Sequence, residues 1–189
     1  MYYVLTYQGF SDGEAQQLER PELPGREELA FDEGVWVKDP PDSVHFVMTR
    51  EDHGELGDLV PTYLPGLVIS ERFRRLLEGA GVDNVQYIPA QIEDQASGRT
   101  LGGYFIANVI GLVDCIDMGA SKLVLRAAPP GAIRFIRELH IDEGRARGLP
   151  LFRLERKSSL VLMSERVQQQ IAPAKLRGVG LLPAEGYAT

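Results

Sequence analysis

Residues 70–90 read SERFRRLLEGAGVDNVQYIPA, and residues 164–184, SERVQQQIAPAKLRGVGLLPA, repeat their pattern without a gap. Seven of the 21 aligned positions are identical, and they include the opening Ser-Glu-Arg and the closing Pro-Ala. Most of the other positions keep their apolar or polar character. Because the shared residues have the spacing of a packing pattern, they predict an internal duplication. They favour a binding protein over an enzyme.

Each copy of the repeat predicts a strand, a capped helix and an exit strand, at residues 85–92 or 179–182. Ser70 follows an apolar run, and its hydroxyl can accept hydrogen bonds from the free N–H groups at a helix start. Gly81 suits a left-handed cap at the end of the first helix. Pro173 ends the second helix about one turn earlier. One face of the first helix is apolar and comprises Phe73, Leu76, Leu77 and Ala80.

Runs of β-forming residues predict further strands before and between the two copies. They comprise residues 2–7, 35–37, 43–49, 104–116, 122–127 and 132–141, and a hairpin of residues 151–155 with 160–163. The apolar spacing of residues 132–141 also fits a helix, but their β-branched content favours the strand. We predict an α+β fold with a mixed or antiparallel sheet and few short helices, built around two repeated strand–helix–strand units.

The composition predicts one globular domain over residues 1–189, because 44% of the residues are hydrophobic and 25% are charged. Cys115 is the only cysteine, which rules out an internal disulfide and fits a reducing compartment. No apolar run approaches the roughly 20 residues that cross a bilayer, and a secretory signal is not evident at the N-terminus. These features predict a cytoplasmic protein without membrane interactions.

The acidic side chains are concentrated at the start of the chain. Residues 1–60 hold 14 acidic and 4 basic side chains, whereas residues 61–189 hold 13 and 16. We therefore divide the domain into an acidic variable segment, 1–60, and a duplicated core, 61–189. An acidic face repels nucleic acid and attracts basic proteins, although it can also serve only solubility. The carboxylates predicted to contact a partner are Asp32, Glu33, Asp39, Asp42, Glu51, Asp52, Glu55 and Asp58.

The sequence contains no pattern that assigns a catalytic, cofactor-binding or metal-ligating residue. Ser70 and Ser164 each follow a predicted strand and precede a helix, but the flanking glycines of a nucleophile elbow are missing, so helix capping explains both. The three histidines lack metal-ligand spacing. Cys115 lies within an apolar run, where a buried, inert thiol is the usual outcome.

Several blocks of sequence resemble one known family when they are taken in order. They are LVISER (67–72), DNVQYIP (83–89), GYFIANV (103–109), VDCID (113–117), LFRL (151–154), LVLMSER (160–166) and GVGLLP (178–183). The chain resembles, over residues 60–187, the immunity proteins of type eleven, which belong to bacterial polymorphic-toxin systems and were formerly catalogued as a domain of unknown function.

This resemblance implies a protein that is encoded beside a toxin, binds it and blocks it in the producer and its kin. Some toxins paired with such proteins look like nucleases, whose cationic surfaces would complement the acidic first segment. The resulting hypothesis is steric and electrostatic inhibition of a cognate, basic toxin domain, without a cofactor; it leaves the oligomeric state open. One alternative is a small enzyme or ligand-binding domain with a cleft between the repeats, using Asp114, Asp117 or His140. Another is an interaction module of a secretion apparatus.

Overall fold

The computed structural model describes residues 1–8, 18–19, 21, 23, 30–48, 56–127 and 130–189. Their strands are β1 (Tyr2–Tyr7), β2 (Val44–Met48), β3 (Leu59–Val60), β4 (Leu67–Ser70), β5 (Val85–Asp94), β6 (Arg99–Val109), β7 (Leu112–Val113), β8 (Lys122–Leu125), β9 (Ile133–Glu138), β10 (Leu151–Leu154), β11 (Lys157–Ser164) and β12 (Val179–Pro183). Their helices are α1 (Glu71–Gly79), α2 (Glu143–Ala146), α3 (Glu165–Ile171) and a 3-10 helix (Ala172–Ala174).

Two five-stranded sheets carry most of these strands, and both sheets are mixed. The first has the order β12-β1-β11-β10-β7, in which β7 and β10 are parallel and the other neighbours antiparallel. The second has the order β2-β5-β6-β4-β3, in which β2 and β5 are parallel and the other neighbours antiparallel. Strands β8 and β9 form a separate antiparallel ribbon. The prediction of a mixed α+β fold, mostly sheet with few short helices, is confirmed.

The two matched sequence segments occupy corresponding places in the two sheets. Helix α1 joins β4 to β5, and both strands run antiparallel to β6, which lies between them. Helix α3 and the 3-10 helix join β11 to β12, and both strands run antiparallel to β1 between them. Each segment therefore encloses a strand from another part of the chain. The origin of the two segments by duplication stays a prediction.

One buried cluster contains apolar side chains from both helices and both sheets. Helix α1 contributes Phe73 and Leu77, and α3 contributes Val167 and Ile171. A second cluster joins the first sheet to the β8–β9 ribbon. A third lies on the second sheet and includes Phe31, which precedes β2 in the chain. The helix pair is thus shared between the sheets, because each sheet needs apolar cover on that face.

The capping predictions are confirmed at both helix starts and at Gly81. Ser70 Oγ accepts a hydrogen bond from the N–H of Phe73 at 3.1 Å. Ser164 Oγ accepts one from the N–H of Val167 at 3.5 Å. Gly81 has a φ of 75°, which glycine adopts without a steric penalty. The bonds from Gly81 N–H to Glu78 and from the next N–H to Leu77 complete a Schellman motif.

Two of the strand predictions need correction, and a third is confirmed. Residues 35–37 were predicted as a strand and form none, because their backbone groups bond to side chains rather than to a neighbouring strand. The strand predicted over residues 104–116 is interrupted after Val109, where Gly111 adopts a φ of 104°. For residues 132–141, the choice of strand over helix is confirmed by β9.

Candidate functional site

Four of the eight predicted contact carboxylates lie on one irregular stretch, residues 31–43, which we call the 31–43 loop. Glu33, Asp39 and Asp42 are exposed, and Asp32 is half-buried. Glu51, Asp52 and Glu55 lie outside the described residues. The loop thus brings the described, exposed members of the predicted set together, ahead of β2.

Asp58 is placed differently, because its carboxylate is buried and bonds within the molecule. Its Oδ1 accepts the hydroxyl of Ser70 at 2.6 Å, and its Oδ2 accepts the backbone N–H of Arg177 at 2.9 Å. Arg72 pairs with Oδ2 at 3.3 Å. Asp58 therefore supports the start of α1, whereas its predicted contact with a partner stays untested.

The 31–43 loop is attached to the body of the protein at its first residues. The side chain of Phe31 is fully buried, and its N–H donates to the carbonyl of Pro65 at 2.9 Å. The carbonyl of Phe31 accepts a hydrogen bond from Nη2 of Arg153, also at 2.9 Å. Three residues further on, the carbonyl of Gly34 accepts the N–H of Gly111 at 2.8 Å. These bonds fix the point at which the loop leaves the core.

Two buried amide side chains hold the centre of the loop. Gln86 on β5 accepts the N–H of Val37 at 3.0 Å and donates to the carbonyl of the same residue at 2.9 Å. Asn108, its register partner on β6, donates to the carbonyl of Val35 at 2.8 Å and to Oε1 of Gln86 at 3.0 Å. The amide of Gln86 therefore replaces the backbone partner that a strand at residues 35–37 would need.

Among the residues that hold the loop, Arg153 has the highest free-energy cost of burial, because it is charged and only 1% exposed. Its Nη1 donates to the carbonyl of Ser158 at 2.8 Å, and Nη2 reaches Phe31 as described. Burial lowers the pKa of the Arg153 guanidinium to about 10, and the negative charge of Asp32 opposes that shift. Asp32 thus supplies a countercharge to the buried cation.

Apolar side chains stand exposed among these carboxylates. Trp36, the only tryptophan of the chain, is 62% exposed, and Val35 is 56% exposed. Gly34 lies so close to Leu112 that an added Cβ would come within 2.8 Å of its Cγ atom. Leu112 is itself exposed. The loop therefore carries exposed apolar and exposed acidic side chains within a short stretch of chain.

The residues of the alternative catalytic hypothesis are each held by internal bonds. Asp114 pairs with Arg156 at 3.0 Å, and Asp117 accepts the N–H groups of residues 119 and 120. His140 contacts Glu185 through Nδ1 at 2.5 Å and Glu138 through Nε2 at 3.2 Å.

A groove that lies between the two matched segments does not include these residues. The groove, of about 440 Å³, lies beside α1 and the 3-10 helix, and its lining contains none of the three.

Burial raises the pKa of the Cys115 thiol to about 11. Among the described residues, no three His, Cys, Asp or Glu side chains are grouped to hold a metal ion, and no helix has the length and apolar character to span a membrane.

Sequence reasoning missed the residues that anchor the loop, although a signal was present. Gln86, Asn108 and Arg153 are polar residues whose neighbours in the chain on both sides are apolar or aromatic, a pattern that often marks a buried hydrogen-bonding role. Their partners could not be inferred, because the contacts join positions up to 122 residues apart. Trp36 was assigned to a strand, which hid its exposure.

Comparison with known proteins agrees with the resemblance seen in the sequence blocks. A model of the immunity protein family (Imm11) matches residues 9–186, so the match includes the 31–43 loop as well as the two matched segments. No curated protein matched the chain. With nearly its whole length matched, this chain belongs to the immunity protein family (Imm11).

Proposed function

We propose that this protein binds a cognate bacterial toxin and neutralises it by covering it, both sterically and electrostatically. The observation that carries the proposal is the family match over residues 9–186, which indicates toxin immunity as the general role. The toxin is a basic domain of a polymorphic-toxin system used in bacterial competition. The protein acts in the cytoplasm of the producing cell, where the toxin would otherwise reach its target.

The charge of the 31–43 loop supports a basic partner. The loop holds four carboxylates and a single basic side chain, Lys38. A negative surface accelerates encounter with a cationic protein and disfavours direct binding of nucleic acid. A nuclease toxin fits this requirement, because an enzyme that binds phosphate backbones carries a positive surface.

The division of the chain into a variable acidic segment and a core is part of the same proposal. Strand β1 lies between β12 and β11 in the first sheet, and Tyr2, Val4 and Leu5 are buried, so residues 2–7 contribute to the core. We place the partner-determining part of the first segment within residues 30–60. This part contains the 31–43 loop and the carboxylates Glu51, Asp52 and Glu55.

The general proposal is tested by co-expression with the toxin domain encoded by the adjacent open reading frame. Expression of the toxin alone should stop growth, and the present protein should restore it. Purified toxin domain should bind the protein with an affinity measurable by calorimetry. Failure of both rescue and binding would refute the proposed function.

The electrostatic part is tested by a double charge reversal, Glu33→Lys with Asp42→Lys. Association with the toxin domain should slow by about tenfold or more, and the rate should depend less on salt, because long-range attraction is lost. The matched control is Glu78→Lys with Glu143→Lys, which makes the same charge change at exposed positions on α1 and α2. An unchanged affinity and salt dependence in the loop variant would reject the acidic contact face.

A further inference from the structure

The exposure of Trp36 is the starting point. A tryptophan side chain carries a large apolar surface, and large aromatic residues at protein interfaces contribute a disproportionate share of binding energy. Trp36 and its neighbour Val35 are both more than half exposed. Single exposed apolar residues are common, so exposure by itself does not identify a binding site.

The second observation is the attachment of the loop that carries Trp36. Four polar or charged side chains are buried in the described part of the chain, and three of them bond to backbone groups of the 31–43 loop. The three are Gln86, Asn108 and Arg153. Burying such groups is unfavourable unless their hydrogen bonds are made, and here each of the three makes at least one of its bonds to an irregular surface stretch. The loop is therefore held in one conformation before any partner arrives.

A fixed conformation favours binding, because less conformational entropy is lost when the complex forms. The bonds from Asn108 and Gln86 hold the backbone of Val35 and Val37, on either side of Trp36. The side chain of Trp36 is free of the core while its backbone is fixed on both sides. This arrangement is that of a presented anchor residue.

The third observation is the distribution of charge around the anchor. Asp32 and Glu33 precede the apolar pair in the chain, and Asp39 and Asp42 follow it, so that four carboxylates outnumber the single basic residue, Lys38. An apolar centre with a charged rim is the usual anatomy of a protein interface. The complementary surface is an apolar pocket bordered by lysine and arginine side chains. A second copy of this chain does not fit, because each copy has a net charge of −7 and would bring like charges together.

We propose that Trp36, with Val35, is the apolar anchor that enters a pocket on the basic toxin domain, and that Gln86, Asn108 and Arg153 position it. This inference rests on the proposed function and adds to it the residue that determines how long the complex lasts. The exposed carboxylates of the loop then serve mainly encounter, and the anchor serves retention.

The test measures binding of the purified toxin domain to full-length variants. Trp36→Ala should weaken binding about 30-fold or more, mostly through faster dissociation, while the salt dependence stays that of the wild type. Tyr63→Ala is the matched control, because Tyr63 is an aromatic residue, 65% exposed, outside the loop. Both variants should unfold at the wild-type temperature, since neither side chain is buried.

Positioning by Gln86 is tested through its coupling to Trp36. In a Gln86→Ala background, the Trp36→Ala change should have a much smaller effect on affinity than in the wild type. Incorporated 5-fluorotryptophan gives one fluorine NMR signal from this chain, which should shift on toxin binding and broaden in the free Gln86→Ala variant. Additive effects, with an unchanged signal, would overturn the positioning role.

The outcomes separate this inference from the proposed function. Wild-type protein that binds toxin while Trp36→Ala binds equally well overturns the anchor and leaves the proposed function standing. A Trp36→Ala change that alters only self-association also overturns it, in favour of a second copy as the occupant. Absence of toxin binding by the wild type removes the proposed function and the anchor with it.

Discussion

Two segments share the pattern that runs from Ser-Glu-Arg to Pro-Ala. The helix of each segment donates an equivalent hydrogen bond to the other segment, but different groups support the two helix starts. Arg72 at the start of α1 donates to the carbonyl of Ala174, and Arg166 at the start of α3 donates to that of Ala80 at 2.8 Å. The two arginines occupy matching positions in the sequence pattern, and so do the two alanines. The helix contact is therefore reciprocal.

The supports of the two helix starts are unequal. Ser70 bonds to the buried carboxylate of Asp58, which also holds Arg72 and the backbone of Arg177. The hydroxyl oxygen of Ser164 accepts a hydrogen bond from the N–H of Val167, and the backbone N–H of Ser164 donates to the carbonyl of Pro150. The helix ends differ as well, since α1 closes at Gly81 and α3 passes into a 3-10 helix at Pro173. Two helices with the same sequence pattern can thus contribute differently to the free energy of unfolding.

The largest expected effect comes from the matched core positions 73 and 167. Phe73 and Val167 are both fully buried in the cluster shared by the helices. Phe73→Ala should lower the free energy of unfolding by about 3–5 kcal/mol, because it removes a ring and leaves a large cavity. Val167→Ala should cost about 2 kcal/mol, because it removes two methyl groups. Urea denaturation measures the free energy of unfolding of both variants. A larger loss for Val167→Ala than for Phe73→Ala would contradict the expectation that α1 contributes more to the core than α3.

A smaller difference is expected between the two capping serines. Ser70→Ala should cost about 2 kcal/mol, because the helix loses its cap and Asp58 loses a charge-assisted partner. Ser164→Ala should cost about 1 kcal/mol or less, because it removes a longer bond between neutral groups. Equal losses in thermal or urea denaturation would show that Asp58 adds nothing to the first cap.

Combination with Asp58→Asn provides the control for this prediction. The Ser70→Ala and Asp58→Asn changes should be non-additive, since the two side chains are in direct contact. The Ser164→Ala change should add independently to Asp58→Asn. If Asp58→Asn is coupled equally strongly to both serine substitutions, Asp58 stabilises the whole fold and has no specific effect on the cap of α1.

The difference between the two caps also shows which parts of the fold the sequence can reveal. Both serine caps and Gly81 follow from rules that act within a few residues, so they could be predicted. The support from Asp58 could not, because it acts from 12 residues before Ser70 and depends on the placement of β3. For the same reason, the shared sequence pattern could not reveal that the two helix starts are supported unequally.

The candidate site shows the same limit. Charge along the chain located the 31–43 loop, since four of the predicted carboxylates lie on it. The run of β-forming residues at 35–37 suggested a strand, but the partner of Val37 is the amide of Gln86, which is 49 residues away in the chain. The strand over residues 104–116 failed at Gly111, whose left-handed backbone is visible only in three dimensions. Rules based on the spacing of nearby residues cannot predict that a distant side chain takes the place of a backbone hydrogen-bond partner.

The smallest expected effect lies where the matched segments end. Position 91 after the first Pro-Ala is an exposed glutamine, and position 185 after the second is a glutamate that contacts His140. The hydrogen bond from His140 to Glu185 raises the pKa of the imidazole above 6.5, and Glu138, which also pairs with Lys122, acts in the same direction. A raised pKa means that the protonated histidine stabilises the folded state below about pH 6.5, and that this contribution disappears as the pH rises through the folded-state pKa.

His140→Gln should therefore lower stability at the acid end of the range from about pH 5.5 to 8 and leave it nearly unchanged at the alkaline end. Salt should reduce the difference, because Glu185 is exposed and its charge is screened. Gln91→Glu is the matched control, since it places a carboxylate after the first Pro-Ala pair, away from His140. Urea denaturation across the pH range gives the measurement. If His140→Gln and the wild type lose stability in parallel at every pH, the end of the second segment carries no more charge-dependent support than the end of the first.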